Sequence, residues 1–224
     1  MSGLRAILFD LDDTLYDEEE YVRQAFYNTA DYLARLTGKP QRTQALYERM
    51  LTLLAQNGRG RIFDDICAEC GADIPVGRLV EVYRSTRPHL TLYPDAEETL
   101  AALSGKGIRT GLITDGCGQV QHRKIEALGL DKRLDCVLAT DDCGWSKPQT
   151  QVYESCLRVL GCEAGEAAYV GDNPRKDFIG ARALGMLTFR IVRERGMCRE
   201  MTAPGDYEAD HRITALTELL SWID

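Results

Sequence analysis

Five short apolar runs, each too short to make a helix of ordinary length and each stopping at a small or acidic residue, constrain this chain more than any other feature. They cover residues 4–10, 108–114, 136–140, 167–171 and 187–192. An apolar run of this length suits a strand buried on both faces. Helical patterns lie between the runs, for example over 120–128 and 152–160. Strand alternating with helix at this spacing predicts an α/β fold, a doubly wound parallel sheet with helices on both faces.

One stretch breaks the alternation. From about Glu18 to Pro88 apolar residues recur every three or four positions: Val22, Phe26, Tyr32, Leu33 and Leu36, then Leu46, Met50, Leu53 and Leu54. Gly38 to Pro40, Asn57 to Gly60 and Gly71 to Pro75 punctuate it into about four helices. An all-helical block inserted after the first strand reads as a small bundle of its own. The expected division is a core of 1–16 and 89–224 around a helical unit of 17–88. Pro94 and Asp95 read as a helix start where the chain returns to the core.

Composition narrows the class. With 44% hydrophobic and 28% charged residues the chain reads as a soluble globular protein. A formal net charge of −8 argues against a nucleic-acid partner, although a cationic pocket for a small anion fits an acidic surface. The apolar start is too short for a signal peptide, and no segment is long enough for a membrane span, so the expected setting is cytoplasmic and without a membrane partner. The eight cysteines are then reduced thiols. Cys67 and Cys70 form a lone Cys-x-x-Cys with no partner pair at zinc spacing, and read as small apolar residues along a helix. A monomer is the default for this size.

Four polar pieces fall at the predicted carboxyl ends of strands, the edge where open parallel sheets bind ligands. The first, Asp10-Leu11-Asp12-Asp13-Thr14, follows the first apolar run directly. Alone, such a turn is usually an exposed acidic loop. Placed there, it sets two carboxylates around one cavity, which requires a proton or a cation between them. The second, Ile113-Thr114-Asp115-Gly116, offers a hydroxyl and open amides before a helix, either an anion cradle or an ordinary turn. The third is Ser146-Lys147-Pro148, where a lysine is ordinarily solvated. The fourth runs from Gly171-Asp172 to Asp177, two carboxylates suited to a hard cation such as Mg²⁺.

In this order the four pieces resemble the motifs of the haloacid dehalogenase superfamily: Asp-x-Asp-x-Thr, a strand-terminal Thr or Ser, a Lys, and Gly-Asp-x-x-x-x-Asp. Every chemical position matches, and the motifs span nearly the whole chain. The helical block is similar to the cap of the branch with an insertion after its first strand. The resemblance implies a Rossmann-like core with a helical cap and a Mg²⁺-dependent phosphatase acting on a small phosphorylated metabolite. It implies that Asp10 attacks phosphorus to give an aspartyl-phosphate, and that Asp12 protonates the leaving alcohol and later activates water. Asp12 is expected to hold a proton when substrate arrives, because carboxylates crowd around it. Mg²⁺ would be held by Asp10, the backbone carbonyl of Asp12, and Asp172. Thr114, Asp115 and Lys147 would hold the phosphoryl oxygens, and Asp177 would orient Lys147 or a metal-bound water. Tyr16, Glu18, Arg59 and Arg61 are candidates for substrate contacts, the arginines competing with a plain role as solvated loop charges.

Two other functions share these residues. A phosphomutase of the same family would return the phosphoryl group to a sugar. A catalytically idle relative would serve as a binding module, but such proteins usually lose a chemical residue and none is lost here. A dehalogenase lacks the second Asp, which this chain keeps as Asp12.

Overall fold

The computed structural model describes residues 3–223. The strands are β1 (Ala6–Phe9), β2 (Arg109–Thr114), β3 (Cys136–Ala139), β4 (Ala167–Gly171), β5 (Leu187–Ile191) and β6 (His211–Ile213). They form one parallel sheet in the order β3-β2-β1-β4-β5-β6. The doubly wound α/β core expected from the apolar runs is present. The last strand was not anticipated, because three residues with a single buried apolar side chain, Ile213, leave no run to read.

The helices are α1 (Glu18–Leu36), α2 (Thr43–Asn57), α3 (Ile62–Cys70), α4 (Val76–Arg84), α5 (Pro94–Gly105), α6 (Gly118–Ala127), α7 (Thr150–Leu160) and α8 (Ile179–Ala183). Among the described residues no helix is long and apolar enough to cross a membrane. Contacts divide the chain into two compact units. One runs to Glu18 and resumes at Leu90, and the other is Glu19–His89.

The helical unit has its own core, in which Phe26, Leu33, Met50, Ile66 and Leu79 are buried together. The rings of Phe26, Phe63 and Tyr83 meet at tilted to edge-on angles. Cys67 is buried in this core, the small apolar role expected for it.

In the α/β unit β1 is central, with Ile7 opposite Thr110 of β2 and Ala168 of β4. Leu8, Ile113 and Tyr169 of the sheet pack with Val152, Tyr153 and Cys156 of α7 and Phe178. The chain leaves and re-enters this unit through a paired neck. Tyr93 N–H donates to the Leu15 carbonyl at 2.9 Å, and Tyr16 bridges Leu92 in antiparallel fashion.

Helix α8 lies against the loop carrying Lys147 with no room for a side chain at Gly180. A Cβ there would sit 2.0 Å from the Pro148 carbonyl oxygen and 2.8 Å from the Tyr153 ring. Gly180→Ala should therefore cost about 1–3 kcal/mol, the usual range for overpacking. Urea unfolding reads this directly, and an unchanged midpoint would mean the loop yields without strain.

Candidate active site

Strand β1 delivers Asp10 to the carboxyl edge of the sheet, its N–H bonded to the Val170 carbonyl at 2.8 Å. The next residues turn sharply, with Asp13 at φ 54°. Aspartate tolerates this left-handed conformation better than most residues. The Asp13 carboxylate secures the turn by accepting the N–H of Glu18 at 3.1 Å and of Met197 at 2.8 Å. Thr14, fully buried, donates its hydroxyl to Asp10 Oδ2 at 3.3 Å.

Lys147 is turned inward rather than solvated, its side chain 0% exposed. Its Nζ donates to Asp10 Oδ1 at 2.5 Å and to the Tyr169 hydroxyl at 3.0 Å, and lies 2.8 Å from Asp177 Oδ1. Burial works against the ammonium charge, but Asp10 and Asp177 outweigh it and hold the Lys147 pKa well above the ordinary value. The backbone of this residue is also anchored, since Lys147 N–H donates to Asp115 Oδ1 at 3.2 Å. The same Asp115 oxygen accepts the Thr140 hydroxyl at 2.9 Å, tying the ends of β2 and β3 to the lysine loop.

Asp172 and Asp177 come from the loop after β4. Asp177 fits only because Gly171 lacks a side chain, as a Cβ there would lie 2.4 Å from Asp177 Oδ2. That oxygen accepts the Asn173 N–H at 2.8 Å. The other Asp177 oxygen forms an ion pair with Lys147 at 2.8 Å. One carboxylate oxygen from each of Asp10, Asp172 and Asp177 lies within 4.8 Å of the others, all three residues buried.

This cluster carries excess negative charge. Burial raises the Asp10 pKa and Lys147 opposes it, leaving the group at about 6. Burial, then Asp10 and Asp177, push Asp172 up to about 9, while the Cys198 thiol donates to it and works weakly in the opposite direction. Fully ionised, the three buried carboxylates would exceed the Lys147 ammonium by about two charges, which a divalent cation would balance. The all-oxygen donor set suits a hard cation, so the residues fit Mg²⁺.

The Asp12 carboxylate does not join this group. Its Oδ1 accepts the Tyr16 hydroxyl at 2.6 Å and Lys124 Nζ at 2.7 Å, and its Oδ2 accepts Gln121 Nε2 at 3.0 Å. Burial alone would raise its pKa. The Lys124 charge and the bonds from Lys124, Tyr16 and Gln121 outweigh burial and hold Asp12 below the ordinary carboxylate range. The expectation that crowding keeps Asp12 protonated is therefore overturned, because a buried lysine faces it.

Thr114 ends β2 and is buried, its hydroxyl oxygen accepting Gln121 Nε2. Tyr16 is also fully buried against Asp12 rather than presented to a substrate. Glu18 lies 3.8 Å from Lys124. In the helical unit Arg59 lines a cavity of about 230 Å³ with Phe26, Phe63 and Tyr83. Arg61 is exposed, 4.0 Å from Asp65. Lys176, not singled out in the sequence, lies 3.5 Å from Asp115 Oδ2. Gln121 and Lys124 were missed as well. Their spacing of three on a predicted helix was the available signal, since it places both on one face.

The model of the family described as haloacid dehalogenase-like hydrolase matches residues 7–191, most of the chain and all four motifs. The chain belongs to the haloacid dehalogenase-like hydrolases. It is similar to a glyceraldehyde 3-phosphate phosphatase of Methanocaldococcus jannaschii, 31% identical over 97% of this chain and 96% of the relative. A phosphoserine phosphatase of Thermus thermophilus is 29% identical over 96% of this chain and 98% of its own. The solved structure of a haloacid dehalogenase-type phosphatase from Thermococcus onnurineus superposes with a TM-score of 0.64 at 28% identity, covering 97% of each chain. In this member of the hydrolases the four motifs converge on the carboxyl edge of one sheet, at β1, β2 and β4 and the loop after β3.

Proposed function

We infer that this chain is a phosphatase of small phosphorylated metabolites, with Asp10 as its nucleophile. The observation that carries the reading is the Asp10 carboxylate at the end of the central strand, one oxygen on buried Lys147 and two further carboxylates beside it. Its relatives named as phosphatases support hydrolysis rather than phosphoryl return to a sugar.

Asp10 attacks phosphorus, the bond to the leaving oxygen breaks, and an aspartyl-phosphate forms. Asp12, which Lys124 holds ionised in the free enzyme, takes up a proton as the anionic substrate binds and gives it to the departing alkoxide. It recovers one from the water that then cleaves the acyl phosphate, so its proton count is restored each turnover. Thr114, the Asp115 amide and Lys147 hold the phosphoryl oxygens, where negative charge is greatest. Asp177 orients Lys147. Asp10, the Asp12 carbonyl and Asp172 would hold Mg²⁺, which when bound offsets the repulsion between the nucleophile and an anionic substrate. The helical unit, expected at 17–88, is assigned as the cap that selects the substrate. With eight free thiols the enzyme suits a reducing cytoplasm.

Chelation tests the metal assignment twice over. EDTA should abolish phosphate release, and Mg²⁺ should restore it. Mg²⁺ should also raise the melting temperature, because it binds only the folded cluster. A shift missing in wild type, or retained in Asp172→Asn, would remove the cation from these carboxylates. A screen of phosphorylated metabolites scored by phosphate release would then define the substrate.

A further inference from the structure

We propose that Lys124, together with Gln121 and Tyr16, is the positioning set for Asp12, holding its carboxylate in place for the proton transfers of both chemical steps. This rests on the phosphatase reading and assigns residues outside the four motifs. Lys124 and Gln121 lie on α6, and both are buried although their types are usually exposed. Lys124 Nζ sits 2.7 Å from Asp12 Oδ1 and 5.9 Å from the centre of the Tyr16 ring. Gln121, three residues earlier on the same face, reaches the other Asp12 oxygen, and the Tyr16 hydroxyl closes the group. Both oxygens are thus gripped from two separate chain segments, so the side chain has no free rotation.

Gln121 Nε2 also donates to Thr114 Oγ1. With that lone pair occupied, the Thr114 proton is left to point towards an anion. One helix, beginning just after the second motif, therefore registers a phosphate-binding hydroxyl and the proton-transfer group against each other. Small displacements of such groups carry large rate penalties, on the order of 10²-fold for about 1 Å.

The test separates positioning from mere structural support through the leaving group. A p-nitrophenolate departs without a proton, whereas an alkoxide needs one from Asp12. In Lys124→Met the single-turnover rate of alcohol release from an alkyl phosphate should fall by about 10²-fold. Release of p-nitrophenolate should stay within a few-fold of wild type in its first turnover. Acid-quenched aspartyl-phosphate should then accumulate, because the water step still needs Asp12. Tyr16→Phe, a smaller change that keeps the buried ring, should show the same selectivity at reduced size if Lys124→Met folds poorly. Equal slowing of aryl and alkyl substrates, or no slowing in folded variants, would overturn the positioning role while wild-type turnover leaves the phosphatase reading standing. A wild type that forms no aspartyl-phosphate with either substrate would sink both.

Discussion

Asp10→Asn is expected to lower kcat by about 10⁴-fold or more, the scale seen when a covalent nucleophile is removed. That corresponds to about 5 kcal/mol of lost transition-state stabilisation. The amide is nearly isosteric, and it removes one charge from a cluster already too negative, so the variant should stay folded. Lys147 keeps Asp177 as its partner at 2.8 Å. The measurement is phosphate release from p-nitrophenyl phosphate beside a thermal melt. A folded variant with wild-type turnover would dismiss Asp10 as the nucleophile, whatever the family resemblance.

Lys147→Met should do the opposite to the balance between fold and function. It removes the ammonium in direct contact with Asp10 and Asp177 inside the protein, and breaking a buried pair in this way typically costs about 3–5 kcal/mol. The cost should depend on pH in a defined direction. Lys147 lowers the Asp10 pKa in the native state, so without it that pKa rises further above about 6. The native variant then binds more protons than the unfolded chain, and its stability falls as pH rises through that window. Urea unfolding in EDTA should show a deficit that is small near pH 5 and large near pH 8. A deficit independent of pH would mean that packing, not charge, is what Lys147 contributes.

How far the sequence was readable follows from the range of each interaction. Strands β1 to β5 were visible because strands buried on both faces demand unbroken apolar runs, and the helical insertion because its core repeats at helical spacing. The acidic motifs were visible because each is short and stands directly behind a strand. What could not be read were pairings across long stretches of chain. Asp12 meets Lys124 112 residues on, and no local pattern announces it. Gln and Lys on a helix are usually exposed, so nothing local marks Gln121 and Lys124 of α6, which face Asp12. For the same reason Lys147 before a proline suggested exposure, while the fold buries it against two carboxylates.

The paired neck at Tyr16 and Leu92 makes the helical insertion modular. Its two attachment points are clamped side by side by backbone bonds belonging to the α/β unit, so they stay adjacent whatever is strung between them. Any segment whose ends lie about a strand's width apart satisfies that geometric demand. On the proposed reading, with the insertion as the cap that selects the substrate, preference can diversify by replacing one continuous piece of chain, while the residues proposed for phosphoryl transfer, all encoded outside it, remain untouched.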